Sequence, residues 1–502
     1  MPVSEPKPEF IPLSNDVWAV LTPTVQALLH ANHVELVFLR SQLAEQQGQL
    51  AKQQGQLAEQ KKKLRELEAR LNENSSNSSR PPSSDPPWTK KYPKQRRKRG
   101  KKRGAQPGHR GSRRETVPPE KVTHFVDHRP GECEKCGADL SGASQVGRPQ
   151  RRQVWDLPPI EPEIIEHRLH GALCSCGHVT HAQIPGEAKY GTGPRLTSLI
   201  AMLCGRYRIS RQEAADLVTT VLGIPVCKGT AQACCERVSE ALAKPVAELS
   251  KALPEMEMVH MDETGWREAG RRMWLWVAST SLFVLFMVHP SRGQAILRDW
   301  FGTGFMGIVS SDRFSTYQFF DVQRRQICWS HLLRDLQGIA DAGGQGAESA
   351  KKMLKQAKDM FTDWHALKAD ELSREQFIGK TAPFREAFQN FCARGAAQDD
   401  DTKWRGLSNN LTKLWPAVFL FVDTEGVEPT NNESERMLRP SVLWRRSSQG
   451  TRSPAGSLFV SRILTTAATC NRQHRPLLQY LERAVKAWST GRSPPSLLTE
   501  PG

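Results

Sequence analysis

Apolar positions along the chain change period from one segment to the next, and each change marks a different kind of element. Leu36, Leu43, Leu50, Leu57, Leu64 and Leu71 recur every seven residues, the spacing of a coiled-coil seam. The companion positions are Leu39, Gln46, Gln53, Gln60 and Leu67, so the seam is polar at its middle. Gly48 and Gly55 weaken the helix further. A modest zipper over 34–73 is predicted, following an N-terminal segment over 1–33; a single amphipathic helix lying on its own protein fits the same pattern. From 74 to 118 periodicity is lost. The run Asn72 to Pro87 is Asn, Glu, Ser, Arg, Asp and Pro, which cannot bury a core and reads as a linker.

Helical spacing returns over 187–250. Ser210-Arg-Gln-Glu213 forms a capping box, Gly223-Ile-Pro225 a turn, and Lys228-Gly-Thr230 opens a second helix. Helix, short turn, helix fits a major-groove reader or a plain connector. The pattern then becomes brief and apolar. Met256 to Asp262 predicts a strand ending in an acid before a Thr-Gly turn, and Met273–Ser279 with Leu282–Val288 predicts a hairpin beside it. Gln294–Phe301 has helical spacing, and Gly307–Asp312 repeats the motif of a short strand delivering a carboxylate. The stretch 335–421 is helical throughout, as is 459–488. Trp404 and Trp415 there suit core packing better than stacking on a flipped base.

Two strand ends lying side by side would let Asp262 and Asp312 share divalent cations, and hard oxygen ligands suit Mg²⁺. In the segment 428–440, helical spacing puts Asn432, Glu435 or Arg436, and Arg439 on one face. Glu435 would complete the metal site, and Arg436 and Arg439 could hold phosphates. Any one of these acids taken alone is equally a solvated surface charge. Cys328 and His331, three apart, fall on the predicted helix after the second Asp strand; with no further ligands in view they read as packing groups near the site.

Charge narrows the partner. Lys and Arg outnumber Asp and Glu by 70 to 53, a formal +17, which points to a polyanion. From Lys90 to Arg114 there are thirteen Lys and Arg and no acid. Arg96, Arg97, Lys98, Arg99, Lys101, Lys102 and Arg103 form the densest part, suited to sequence-independent phosphate contact. No run is apolar enough to span a membrane and the amino terminus carries no apolar signal core, so a cytoplasmic, nucleoid-associated protein is expected. Eleven cysteines without a signal argue against a disulfide framework. Cys133-x-x-Cys136 and Cys174-x-Cys176, each followed by Gly, suit tetrahedral Zn²⁺ in a structural ribbon. The tighter second pair leaves His178 or His181 as substitutes, and Gln153–Pro158 and Glu163–Leu169 read as strands between the pairs.

Asp-Glu-Thr-Gly-Trp at 262, Ser-Asp-Arg-Phe-Ser-Thr-Tyr at 311, Cys-Trp-Ser-His-Leu-Leu-Arg at 328 and Asn-Asn-x-x-Glu-Arg-x-Leu-Arg-Pro at 431 together resemble the transposases of the insertion-sequence sixty-six family. The Asn-Ser-Ser, Pro-Pro-Ser-Ser-Asp segment resembles that family too. The resemblance implies a multidomain α+β protein: an N-terminal coiled coil, a zinc-ribbon-like domain over 119–186, and a ribonuclease-H-like core over 251–335 and 426–450. A helical insertion over 336–425 and a C-terminal helical region over 451–502 complete it. It implies an Asp-Asp-Glu triad of Asp262, Asp312 and Glu435 holding Mg²⁺ or Mn²⁺, with Glu263 and Glu433 outside it. Cys328, His331, Asn432, Arg436 and Arg439 would stand behind the triad or touch DNA. The activity expected is cleavage at transposon ends and strand transfer into target DNA, with self-association and accessory proteins of the same element as partners. The alternatives are a nuclease without strand transfer and a DNA-binding regulator with a relict site.

Overall fold

The structure is a computed structural model that describes residues 7–9, 11–78, 85, 114–399 and 401–498. It is mixed α/β, with a two-stranded and a five-stranded sheet among the described residues. The chain divides into two compact units, Pro87–Glu248 with Pro454–Gly502, and Met1–Pro86 with Leu249–Ser453. The basic arm from Arg96 to Arg103 lies outside the described residues.

In the unit Pro87–Glu248 with Pro454–Gly502, β1 (Gly171–Leu173) and β2 (Val179–His181) form an antiparallel hairpin. The strands expected at Gln153–Pro158 and Glu163–Leu169 are absent. Pro158, Pro159 and Pro162 remove ladder donors there, and Val154, Trp155, Ile164 and Ile165 stay exposed. Helices follow at Pro194–Gly205, Arg211–Leu222 and Lys228–Ala241, closed by Pro454–Arg472 and Leu477–Ser489. Ser210 and Glu213 make the reciprocal cap, and Gly223 takes the left-handed conformation (φ 67°) that ends the helix. Ile200, Val218, Val238, Ile463 and Leu481 are buried. A side chain at Gly205 would begin 2.5 Å from Ile463 Cγ1, so the helices approach only because Gly205 has none.

In the other unit, one helix runs Pro23–Leu71. Residues 23–33, expected to precede the zipper, belong to it. Leu36, Leu43, Leu50, Leu57 and Leu64 all remain exposed along it. The Asn-Ser segment after it is no free linker. Ser75 donates its N–H (2.7 Å) and hydroxyl (2.6 Å) to Asp85, and Asn77 is buried with its amide 3.1 Å from Asp341 Oδ2. Asn and Ser replace apolar burial here with hydrogen bonds.

The five-stranded sheet comprises β3 (Met258–Glu268), β4 (Arg271–Ser279), β5 (Val284–His289), β6 (Ile308–Ser311) and β7 (Arg325–Ile327), in the order β5-β4-β3-β6-β7. The first three are antiparallel, and β6 and β7 run parallel to β3. The expected Thr264-Gly265 turn is instead mid-strand: Gly265 pairs with Trp274, and the turn falls at Ala269-Gly270, both at positive φ (48° and 80°). Such a two-residue turn matches strand twist. The helix Ala295–Phe301 carries the chain from β5 across to β6. β7, unexpected, separates Asp312 from the helix Trp329–Ala342.

That helix shares a single core with Ala347–Lys368, Arg374–Ala396 and Thr402–Lys413. Trp329 lies 5.5 Å from Phe388 and 5.3 Å from Phe419 between ring centroids, and Trp404 lies 5.2 Å from Phe391. Trp404 is 1% exposed, which leaves it no face for a base. Finally the helix Asn432–Ser448 lies on β3, with Trp444 edge-on to Trp266 at 6.3 Å.

Candidate active site

Strand register brings the two aspartates together. The parallel ladder of β3 and β6 ends at the pair His260 and Ser310, and Asp262 and Asp312 each lie two residues beyond it. Alternation along β3 puts His260, Asp262, Thr264 and Trp266 on the face under the Asn432–Ser448 helix, while Val259, Met261 and Glu263 turn to the buried face. Glu263 therefore points to the opposite face from its neighbour Asp262. It is 8% exposed, accepts from Arg292 Nε at 2.8 Å and from the Tyr317 hydroxyl, and so is held as a paired internal charge.

Asp312 follows β6 directly. Its Oδ1 accepts the Phe314 N–H at 2.8 Å, and its carbonyl accepts from the buried Arg325 at 3.3 Å. Asp262 accepts the Glu263 N–H at 2.9 Å. Glu435 stands in the first turn of its helix, where the helix dipole favours an acid. Burial, then the charges of Glu263, Asp312 and Glu435, hold the Asp262 carboxyl well above its ordinary range. Burial also raises Glu435, with Asp312 adding and Arg334 opposing. The three acids thus share one electrostatic neighbourhood, but their oxygens do not close into one cage. Among the described residues, the group whose ligand atoms all lie within 4.8 Å of one another is Cys328, His331 and Glu435.

Asn431, unremarked in the sequence, joins these parts. It is 1% exposed, its Nδ2 donates to Met261 O at 2.6 Å, its Oδ1 meets His260 Nδ1 at 3.3 Å, and its backbone N–H donates to Cys328 Sγ at 3.1 Å. It thereby ties β3, just before Asp262, to the start of the helix bearing Glu435. The doubled Asn ahead of an acid-rich helical turn was the available signal. Asn432, by contrast, is exposed and accepts from Ser330 Oγ at 3.1 Å. Arg436 is exposed and 3.5 Å from Glu433, and Arg439 is exposed. Cys328 is buried and precedes its helix as the cap; burial with Arg334 and Arg313 nearby keeps His331 neutral, down to about 3. At the far end of β3 a groove of about 820 Å³ is lined by Arg267, Arg445 and Arg452.

The two cysteine pairs each form a knuckle. Gly137 N–H donates to Cys133 O at 2.9 Å and Gly177 N–H to Cys174 O at 2.8 Å, with both glycines at positive φ (74° and 85°). Neighbouring N–H groups and the partner thiol lower Cys133 and Cys174 below the usual thiol range. That favours the thiolate a metal takes. Among the described residues, no three of the four sulfurs lie within 4.8 Å of one another.

Two family models cover the segments that carry the sheet with its acids and the cysteine knuckles. Residues 192–458 match the Transposase IS66 family, and residues 130–177 match the zinc-finger binding domain of transposase IS66. The chain belongs to the IS66 family of transposases. Residues 22–115 also match a family of unknown function, DUF6444. No curated protein matches the chain. The zinc-finger match supports Zn²⁺ and DNA binding, and no helix among the described residues is long and apolar enough to cross a membrane.

Proposed function

We propose that this transposase cleaves phosphodiesters at the ends of its element and joins the freed 3′ hydroxyls to target DNA, using Asp262, Asp312 and Glu435 on a ribonuclease-H-like core. The observation that carries the reading is that Asp262 and Asp312 stand two residues beyond the last pair of the parallel β3–β6 ladder, with Glu435 in the first turn of the helix that lies on β3. The sheet order, three antiparallel strands continued by two parallel ones, supports the core assignment.

The donor set fits a hard dication. It is all carboxylate, and Glu435 Oε1 is enclosed without a hydrogen-bond partner among the described residues. Mg²⁺ or Mn²⁺ held by these three would supply charge neutralisation and an activated water. The protein's own part is positioning. Asn431 fixes the spacing between β3 and the Glu435 helix, and Tyr317 with Arg292 keeps Glu263 off the reacting side.

DNA contact is distributed. Arg436 and Arg439 suit phosphates near the acids, the arginine groove suits a phosphate run further along, and the arm from Arg96 to Arg103 adds salt-sensitive affinity. The helices over 187–250 suit either groove reading or connection. The exposed leucines of Pro23–Leu71 support pairing with a second copy as a coiled coil. Accessory proteins of the same element are further expected partners, on the nucleoid.

Full-length protein with Mg²⁺ and a duplex carrying the element end tests the reading. Nicked and then joined products are expected. Nicks without joining would indicate a nuclease, and salt-sensitive binding without cleavage a regulator.

A further inference from the structure

Cys328, His331 and Glu435 bring one sulfur, one nitrogen and one oxygen within 4.8 Å of one another. Strand cleavage by three carboxylates makes no use of the first two. The set is also wrong for Mg²⁺, which takes oxygen, and right for a thiophilic dication such as Zn²⁺.

Local geometry builds the set. Cys328 caps the helix Trp329–Ala342 and His331 stands in its first turn, so one face carries both. Glu435 arrives from the first turn of Asn432–Ser448. The two helix starts are locked together: Trp329 N–H donates to Pro429 O at 2.9 Å, Ser330 Oγ to Asn432 Oδ1 at 3.1 Å, and Asn431 N–H to Cys328 Sγ at 3.1 Å. Burial pushes the Cys328 thiol up, and the N–H directed at its sulfur opposes this, as outer partners do around metal-bound cysteines. His331 Nδ1 and Glu435 Oε1 lie 3.7 Å apart, and both are enclosed with no hydrogen-bond partner among the described residues. Ligands at about 2.0–2.1 Å from a tetrahedral zinc lie roughly 3.3–3.5 Å from each other. A few tenths of an ångström of closure would bring this nitrogen and oxygen to ligand spacing, with the Cys328 sulfur within 4.8 Å of both. Arg334, with Nη2 3.9 Å from the same Oε1, is the competing cation and would have to swing away.

We infer that Cys328, His331 and Glu435 form a binding site for a thiophilic divalent cation, with one coordination position left open. The site takes Glu435 from the proposed carboxylate set, so its test reads ion binding and not DNA cleavage: a chain that cut no DNA could still bind the ion here. It is distinct from the knuckle cysteines.

The test is Co²⁺ titration of the full chain carrying Cys133→Ser, Cys136→Ser, Cys174→Ser and Cys176→Ser, followed by absorbance. The expected result is one Co²⁺ per chain with tetrahedral visible bands and a sulfur-to-cobalt charge-transfer band. Adding Cys328→Ser should abolish the charge-transfer band. Adding His331→Ala should weaken binding by at least the roughly ten- to hundredfold that loss of an outer partner costs. A charge-transfer band that survives Cys328→Ser, or a featureless six-coordinate spectrum assigning the ion to carboxylates alone, overturns the inference. Should the quadruple variant not fold, zinc per chain in the otherwise native protein decides. Cys328→Ser lowers it by one equivalent if the site exists, and equal zinc in the two proteins refutes it.

Discussion

Asn431→Ala removes the side chain that ties the two halves of the candidate active site together. Two hydrogen bonds are lost, to Met261 O at 2.6 Å and to His260 Nδ1 at 3.3 Å, and the Met261 carbonyl is left buried without its donor. At about 1 kcal/mol for a typical bond and about 1–3 kcal/mol for the stranded group, the local cost is about 2–4 kcal/mol. Because the chain holds two compact units, a single melting curve would blur this change, and amide hydrogen exchange resolves it. Exchange in β3 and in the Asn432–Ser448 helix should speed by about thirty- to eight-hundredfold, at roughly 1.4 kcal/mol per decade. DNA cleavage should fall about a hundredfold, the effect of displacing a catalytic group by roughly an ångström. Asn431→Asp restores the size but not the donor and should not rescue. Unchanged protection across β3 in Asn431→Ala would refute the positioning argument, whatever happened to activity.

Other consequences are more local. Asp262→Asn should raise the amide-exchange protection of β3 in the ion-free protein at neutral pH. The folded pKa of Asp262 lies above its ordinary value, so ionising it opposes folding, and the penalty fades as pH falls through the folded value towards about 3.9. The gain should therefore vanish in acid; a gain that grew with falling pH would contradict the sign. Tyr317→Phe removes a hydrogen bond to the buried Glu263 carboxylate and should cost about 1.5–3 kcal/mol of local stability, read as faster amide exchange in β3; unchanged exchange would mean that the contact is not formed. Cys133→Ser should lose zinc from the segment 130–177, read by elemental analysis, and open that segment to protease while β3 stays protected from exchange.

Much of the sheet was legible because its strands are short apolar runs with period two or less. Asp262 and Asp312 stand out in the sequence because each ends or punctuates such a run, whereas Glu435 stands out only by helical spacing and the family motif. What escaped has physical causes. β7 is Arg325-Gln326-Ile327, and its polar side chains are buried. Gln326 spends its amide on the backbone of Ile327, Val418 and Phe421, a satisfaction invisible to any hydropathy pattern. Thr264-Gly265 read as a turn because Gly usually marks one; here Gly265 gives room beneath Arg445, whose guanidinium lies 3.2 Å from where a Cβ would be. Asn432 was singled out over Asn431 because face-counting starts inside the helix, whereas Asn431 stands just ahead of it. The Asn-Ser segment looked unstructured because composition measures apolar burial, and this stretch is held by hydrogen bonds to Asp85 and Asp341.

Magnesium-dependent cleavage of an element-end duplex by the full-length protein, compared with its Asp262→Asn, Asp312→Asn and Glu435→Gln variants, tests the central claim most directly. Each single variant should lose at least about a thousandfold in rate while binding the duplex with affinity and salt dependence like the parent's. Any one of the three cutting at the parental rate would show that the acids on β3, just after β6 and on the Asn432–Ser448 helix are not the centre of the chemistry.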